Sequence, residues 1–158
     1  MPTQATEVIF AYGHRNIQAA HHATLEFTKD TRLSKKGDCV IAVAADKTLS
    51  DLSLEFKEAL RKLGAKLTVT IEADGISEHV QAYGSPQLTL SHPREAVVRK
   101  SNYISDRTLA VGADKAAQDL SRELVEKLKN PRQRVKITLK ALANGPQRPA
   151  PPATRKGQ

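Results

Sequence analysis

The chain is poor in cysteine and in aromatic residues. Its 158 residues include one cysteine, three tyrosines, three phenylalanines and no tryptophan. A single cysteine, Cys39, cannot form an internal disulfide, and this fits a reducing cytosol. Proteins that hold single-stranded nucleic acid by base stacking rely on aromatic side chains, so the low aromatic content argues against a stacking surface.

Long hydrophobic segments are also absent from the sequence. No run approaches the roughly 18 apolar residues that suggest a membrane-spanning helix. The first residues, MPTQATEVIF, lack the basic region and the apolar run of a secretory signal. These two absences predict a cytoplasmic protein without membrane association.

Acidic residues are fewer than basic ones. The chain has 25 Lys and Arg against 17 Asp and Glu, a formal charge of +8. Three of the bases lie in the final segment 146–158, PQRPAPPATRKGQ, which has no acid, so the rest of the chain carries +5. The prolines of this segment predict a disordered basic tail. The remaining excess favours an anionic partner without proving that it is a nucleic acid.

What the chain does contain is an internal repeat. Residues 41–73 align without a gap on 109–141 with 13 identities in 33 positions, where chance gives roughly two. A weaker match, from Ala11-Tyr12-Gly13 to Ala82-Tyr83-Gly84, extends it towards the N-terminus. The sequence therefore predicts one α+β domain over 1–145, built by tandem duplication from units 8–75 and 79–143 that are related by a pseudo-two-fold axis.

Each unit is expected to contain three strands, a helix and a fourth strand. Short apolar segments that end in Tyr-Gly predict strands at Val8–Tyr12 and Val80–Tyr83, and mostly apolar runs predict buried strands at Cys39–Ala45 and Thr108–Ala113. Alternating apolar residues over 67–71 and 135–139 predict a strand with one buried face after each helix. Leucines at helical spacing follow each buried strand. About eight strands and two helices are expected, in a mixed sheet that can curl into a barrel-like form.

Several polar residues stand at positions that favour a site. Asp46 and Asp114 are expected to cap the two helices, with Lys47 and Lys115 holding an anion beside the free helix amides. Gly13 and Gly84 are expected to adopt positive φ at the end of a strand. His14, His21 and Glu26 are candidate acid–base groups, but their spacing matches no metal signature, and neither a metal nor a cofactor is predicted.

Basic residues also follow the second strand of both units. Lys29 in the first unit and Arg99, Lys100 and Arg107 in the second are expected to contact phosphate groups, with a structural ion pair as the alternative. Backbone contacts to structured RNA, or to a phosphorylated small molecule, fit these loops best.

The chain resembles an archaeal family of uncharacterised proteins, domain-of-unknown-function family 371. The resemblance rests on GHRNIQAAHHATLEFTK, GDCVIAVAADK, VVRKS and RTLAVGADKAAQDLSREL, and it covers about 7–142. It implies an intracellular protein and brings no established activity. The candidate ligand-binding residues are His14, Asn16, His21, Glu26, Lys29, Lys47, Arg99, Lys100, Ser101, Arg107 and Lys115.

Three functional hypotheses follow from these residues. The favoured one is a binding module for RNA or a ribonucleoprotein, supported by the basic loops and tail. The second is an enzyme or sensor for a phosphorylated small molecule at the interface of the two repeats. The third is a scaffold for protein partners.

Overall fold

The computed structural model describes residues 3–143. The predicted tail, 146–158, lies outside this range. The described residues form eight strands and two α-helices, an α+β fold: β1 Thr3–Tyr12, β2 Thr24–Thr28, β3 Val40–Ala42, α1 Leu54–Leu60, β4 Lys66–Ala73, β5 Ile76–Tyr83, β6 Glu95–Arg99, β7 Thr108–Ala110, α2 Arg122–Leu128 and β8 Arg134–Ala143.

The strands form two separate four-stranded sheets. The first has the order β1-β8-β4-β5 and is antiparallel throughout, and the second has the order β3-β2-β6-β7. In the second sheet β2 and β6 pair antiparallel at the centre, while β3 and β7 run parallel to their neighbours. The prediction that one mixed sheet curls into a barrel-like form is therefore wrong. The two sheets meet through single bridges, Tyr12 with Val43 and Tyr83 with Val111.

The core lies on one face of the first sheet. Inward-facing side chains of β8, Val135, Ile137 and Leu139, are fully buried, whereas the residues between them are exposed or half-exposed. Helix α1 packs against β1 and β8, and α2 packs against β4 and β5. The buried residues of the helices are Phe56, Ala59 and Leu60 in α1 and Leu124, Val125 and Leu128 in α2. Alternation along each strand thus gives this sheet one buried and one open face.

The buried strands are shorter than the sequence suggests. The segment expected to be a strand at Cys39–Ala45 keeps ladder geometry only over Val40–Ala42. Ala44 has a positive φ of 54°, which turns the chain out of the extended conformation. Gly112, with φ of 61°, follows β7 in the same way. Each strand therefore stops before the Asp-Lys pair.

The two helices begin later than expected, after a 3-10 turn. Ser53 caps α1 by accepting from the Phe56 amide at 3.0 Å, and Ser121 caps α2 by accepting from the Leu124 amide at 3.2 Å. The prediction that Asp46 and Asp114 cap these helices is wrong. Their carboxylates accept instead from the strand amides of Phe10 and Gln81, each at 3.0 Å.

Gly13 and Gly84 hold the two halves of the chain against each other. The Gly84 amide donates to the Ala65 carbonyl at 2.9 Å, and a Cβ on Gly84 would overlap the Leu60 carbonyl oxygen of α1. A Cβ on Gly13 would likewise overlap the Leu128 carbonyl oxygen of α2. The prediction of a positive φ is wrong for both, because the glycines with positive φ among residues 3–143 are Gly64, Gly75 and Gly112. Close backbone approach is what requires glycine here.

Candidate functional site

The loop lysines singled out in the sequence have protein partners. Lys29 forms an ion pair with Asp51 at 2.8 Å, and Lys100 forms one with Asp119 at 2.8 Å. Each carboxylate also accepts a backbone amide at the 3-10 turn before a helix. These ammonium groups therefore fasten the loops to the turns, and the pKa of each aspartate is lowered chiefly by its lysine.

Lys47 and Lys115 also bind carboxylates rather than facing helix amides. Lys47 pairs with Glu7 at 2.9 Å, and Lys115 pairs with Glu78 at 3.1 Å. Glu7 further accepts from the Ser53 amide at 2.7 Å. Burial works to raise the pKa of Glu7, but the Ser53 amide and the Lys47 ammonium outweigh it and hold the pKa below its usual value.

Arg99 lies at the end of β6 on the outer face of the second sheet, and Arg107 directly precedes the edge strand β7. Arg99 donates to the Thr108 hydroxyl at 2.9 Å and to the Ser105 hydroxyl at 3.0 Å. Its guanidinium also lies 5.0 Å from the centre of the Tyr103 ring. Arg107 forms an ion pair with Glu95 at 2.8 Å. Both guanidinium groups are therefore already engaged by side chains of the protein.

Glu26 is the buried acid of this face. Its side chain belongs to the central strand β2, opposite Val97 of β6, and only 8% of the residue is exposed. Burial, followed by the nearby charge of Glu95, raises the pKa of Glu26 to about 7. A carboxyl with this pKa exchanges its proton near neutral pH, as an acid–base group must.

Cys39 is the neighbour of Glu26 within this cluster. Its thiol donates to the Glu26 carboxylate at 3.5 Å. Burial, reinforced by the Glu26 charge, raises the pKa of the thiol to about 11. Because the thiolate is the reactive form, Cys39 is a poor nucleophile in this environment.

The histidines serve as turn-forming acceptors. His14 Nδ1 accepts from the Asn16 amide at 3.0 Å, and the Asn16 side chain donates to the Leu33 carbonyl at 2.7 Å. His21 Nδ1 accepts from the Thr24 amide at 3.1 Å, and its ring stacks on His22 with centroids 5.1 Å apart. Within residues 3–143, no three His, Cys, Asp or Glu side chains form a group suited to a metal ion.

Of the predicted site residues, the structure brings together Glu26, Arg99 and Arg107. Ser101 lies in the exposed loop after β6, where its hydroxyl accepts from the Tyr103 amide at 3.3 Å. His14 and Asn16 stand in the loop after β1, and Lys47 and Lys115 stand beside strands of the first sheet. The candidates thus do not form a single site.

The open face of the first sheet carries residues that the sequence analysis passed over. Four exposed cations point outward from the two central strands, and one half-exposed acid, Glu72, accompanies them. None of the four forms an ion pair with another residue of the described range 3–143. The cations are Lys66 of β4 and Arg134, Lys136 and Lys140 of β8.

Aromatic rings flank these cations on the edge strands. Tyr12 of β1 stands opposite Arg134 and is 44% exposed, and Tyr83 of β5 stands opposite Lys66 and is 48% exposed. Phe10 lies on the same face, covered by the Arg134 guanidinium 4.0 Å from its centre. Three of the six aromatic residues therefore share one face with four cations.

The rest of this face is mainly polar. Thr70 and Thr138 stand opposite each other on the central strands, and Thr70 shares a 2.9 Å hydrogen bond with His79 Nδ1 on β5. We call the outer face formed by the outward residues of β1, β8, β4 and β5 the open basic face. The alternation Arg134, Lys136, Lys140 within β8 is the sequence signal that could have revealed it.

A small cleft marks the end of the second sheet. Its volume is about 400 Å³, and its lining residues are Asp30, Thr31, Arg32 and Arg94. Arg94 forms a salt bridge with Asp30. Arg32 makes no ion pair with any described residue.

The fold thus defines an α+β protein with two sheets and an open basic face. A family model described as a domain of unknown function, DUF371, matches residues 9–142, and the chain belongs to this family. The family resemblance inferred from the motifs is therefore confirmed. The chain is also 48% identical over 122 residues to an uncharacterised protein of the archaeon Methanocaldococcus jannaschii, covering 77% of this chain and 90% of that relative.

The helices of the fold are short. Both α1 and α2 have seven residues. No helix within the described part of the chain is long and apolar enough to cross a membrane.

Proposed function

We propose that this protein binds RNA, alone or within a ribonucleoprotein, in the cytoplasm, and that the open basic face of the first sheet is the contact surface. The observation that carries the proposal is the set of four outward cations, which have no ion-pair partner among residues 3–143 and share their face with a single acid. A cationic surface of this kind attracts a polyanion by releasing its bound counterions.

The cations of the open basic face have no ion-pair partner among the described residues, unlike most of the loop cations. Lys29 and Lys100 are already neutralised by aspartates, and Arg107 by Glu95, so a phosphate group would have to compete with a carboxylate at 2.8 Å. Lys140 stands between Thr6 and Thr68 on the neighbouring strands, and neither of these can neutralise it. We therefore place the RNA on the sheet face and keep the loop cations Arg99, Lys100 and Arg107 as the alternative interface.

The arrangement of the two halves supports the inferred duplication. The Tyr12 and Tyr83 bridges, the Asp46 and Asp114 contacts and the Glu7 and Glu78 ion pairs recur at equivalent positions. A duplicated unit places one Tyr–cation pair at each of two opposite corners of the open basic face. The duplication is thus part of the proposal, because it supplies the face with two similar contact points.

The salt dependence of binding tests this function. Measure the affinity of the intact protein for polyuridylate from 50 to 300 mM KCl. Each phosphate contact to a single strand contributes roughly 0.7 to the slope of log affinity against log salt. Lys140→Ala should reduce the slope by about this amount, whereas Lys36→Ala, which removes an exposed lysine from the loop before β3, should leave it unchanged.

Two results would overturn the proposal. Absence of salt-dependent binding would remove RNA as the partner. A reduced slope for Arg107→Ala with an unchanged slope for Lys140→Ala would move the interface to the loops of the second sheet.

The cleft at Arg32 favours a second candidate function. Arg32 and Arg94 together could hold a phosphorylated small molecule, which was the alternative drawn from the sequence. A thermal-shift series with nucleotides and sugar phosphates tests it. Stabilisation that is lost in Arg32→Ala supports this alternative, and no stabilisation by any compound eliminates it.

A further inference from the structure

The two exposed tyrosines indicate which form of nucleic acid binds to the open basic face. Tyr12 stands beside Arg134 at one corner of the sheet, and Tyr83 stands beside Lys66 at the diagonally opposite corner. Both rings are close to half exposed. Arg134 already covers Phe10, so the two tyrosines are the accessible rings of the face.

The Tyr83 ring lies over Gly112, where an added Cβ would come within 3.2 Å of it. The backbone contacts beside the two tyrosines do not require their rings. The bridges from Tyr12 to Val43 and from Tyr83 to Val111 are made by main-chain atoms, with N–O distances of 2.8 to 2.9 Å. Any residue with a backbone amide would preserve them. Large, exposed aromatic rings next to cations are the combination on which unpaired bases stack while their phosphates are neutralised.

The sheet sets the distance that a ligand must span. Arg134 and Leu142 lie at the two ends of β8, and Leu142 stands opposite Lys66. Eight strand steps of about 3.4 Å and three strand spacings of about 4.8 Å place the two corners roughly 30 Å apart. A stacked single strand rises about 3.4 Å per nucleotide, so about nine stacked nucleotides, or fewer extended ones, reach both corners.

The residues between the two corners can bind the phosphate backbone of a nucleic acid. Lys136 and Lys140 lie on β8, and the hydroxyl group of Thr138 lies between them on the same face. The hydroxyl groups of Thr68 and Thr70 on β4 are engaged with Gln81 and His79. Cations and hydroxyl groups bind phosphate oxygens without reading the base sequence. A duplex keeps its bases stacked inside. Its phosphates could therefore contact these residues, but its bases could not stack on the two tyrosine rings.

We infer that the open basic face binds single-stranded RNA, with one base stacked on Tyr12 and another on Tyr83; this rests on the proposed function. Removing one tyrosine ring removes the stacking interaction with one base. The expected cost is therefore about 5- to 150-fold in affinity per tyrosine.

The experiment compares ring removal with ring retention. Measure binding of fluorescein-labelled 12-nucleotide oligouridylate by anisotropy to wild type, Tyr12→Ala, Tyr83→Ala and the matched controls Tyr12→Phe and Tyr83→Phe. The alanine variants should bind at least about 5-fold more weakly, and the phenylalanine variants should match wild type. A 12-base-pair RNA duplex should bind less tightly than the single strand and should not distinguish the variants.

The outcomes separate this inference from the proposed function. Tight single-strand binding that is equal in the alanine variants would overturn the stacking inference and leave RNA binding in place. Equal sensitivity of the duplex to Tyr83→Ala would also overturn it. Absence of binding to both probes would instead refute the proposed function. Thermal unfolding of each variant establishes that it is folded. A folded phenylalanine variant that bound at least about 5-fold more weakly than wild type would also overturn the stacking inference, because the ring is still present.

Discussion

Replacing Glu26 by glutamine should change how stability depends on pH. Glu26 is almost fully buried on the second sheet, and burial together with the Glu95 charge raises its pKa to about 7 from an ordinary value of 4.5. Between these two pH values the folded protein keeps the proton while the unfolded chain loses it. The free energy of unfolding therefore falls as pH rises through this range, and it levels off above the folded pKa.

The magnitude follows from the difference between the two pKa values. One pKa unit corresponds to about 1.4 kcal/mol, so ionisation of Glu26 destabilises the fold by roughly 3 kcal/mol above pH 7. Glutamine has a similar shape and carries no charge. Glu26→Gln should therefore gain up to about 3 kcal/mol over wild type at pH 8 and little or nothing at pH 4.5.

Urea denaturation at pH 4.5, 6 and 8 measures this difference. Glu58→Gln serves as the control because Glu58 is an exposed acid on α1. The stability difference between Glu26→Gln and wild type should grow with pH, while the difference for Glu58→Gln should stay nearly constant. A Glu26→Gln difference that does not vary with pH would refute the reasoning about this buried carboxyl.

Two further substitutions test the fold. Ser121→Ala should lower the free energy of unfolding by about 1 kcal/mol through loss of the α2 cap, and unchanged stability in chemical denaturation would show that Ser121 is not the cap. Gly84→Ala should lower the free energy of unfolding by at least about 2 kcal/mol, because the new Cβ would overlap the Leu60 carbonyl oxygen. Gly75→Ala is the control for backbone strain alone, because its Cβ would meet no atom within 4 Å while its φ of 78° strains an alanine. A cost for Gly84→Ala no larger than that of Gly75→Ala would contradict the close-approach argument.

Much of the fold could be predicted from patterns along the chain. The alternation of apolar residues in β4 and β8 gave their buried faces, and leucine spacing gave two helices. The helix starts could not be read correctly, because Asp46 and Ser53 are both good capping residues. Only the turn at Ala44 decides between them, by carrying Asp46 to the Phe10 amide of a distant strand.

The grouping of the polar residues was harder to predict. Lys29 and Lys100 look like free cations in the sequence, because Asp51 and Asp119 lie about twenty residues further along the chain. Aromatic residues were counted over the whole chain, and a count carries no information about placement. Tyr12 and Tyr83 share one face only because β1 and β5 are the two edges of the same sheet.

The open basic face as the RNA-binding surface is the central claim, and amide chemical-shift mapping tests it most directly. Titrate 15N-labelled protein with 12-nucleotide oligouridylate and follow the backbone amides of residues 3–143. The account predicts that the largest shifts lie in β8 and β4 and near Tyr12 and Tyr83, with small shifts around Glu26 and in the loop 100–107. Shifts concentrated in that loop and around Arg99, or no shifts at saturating RNA, would contradict it.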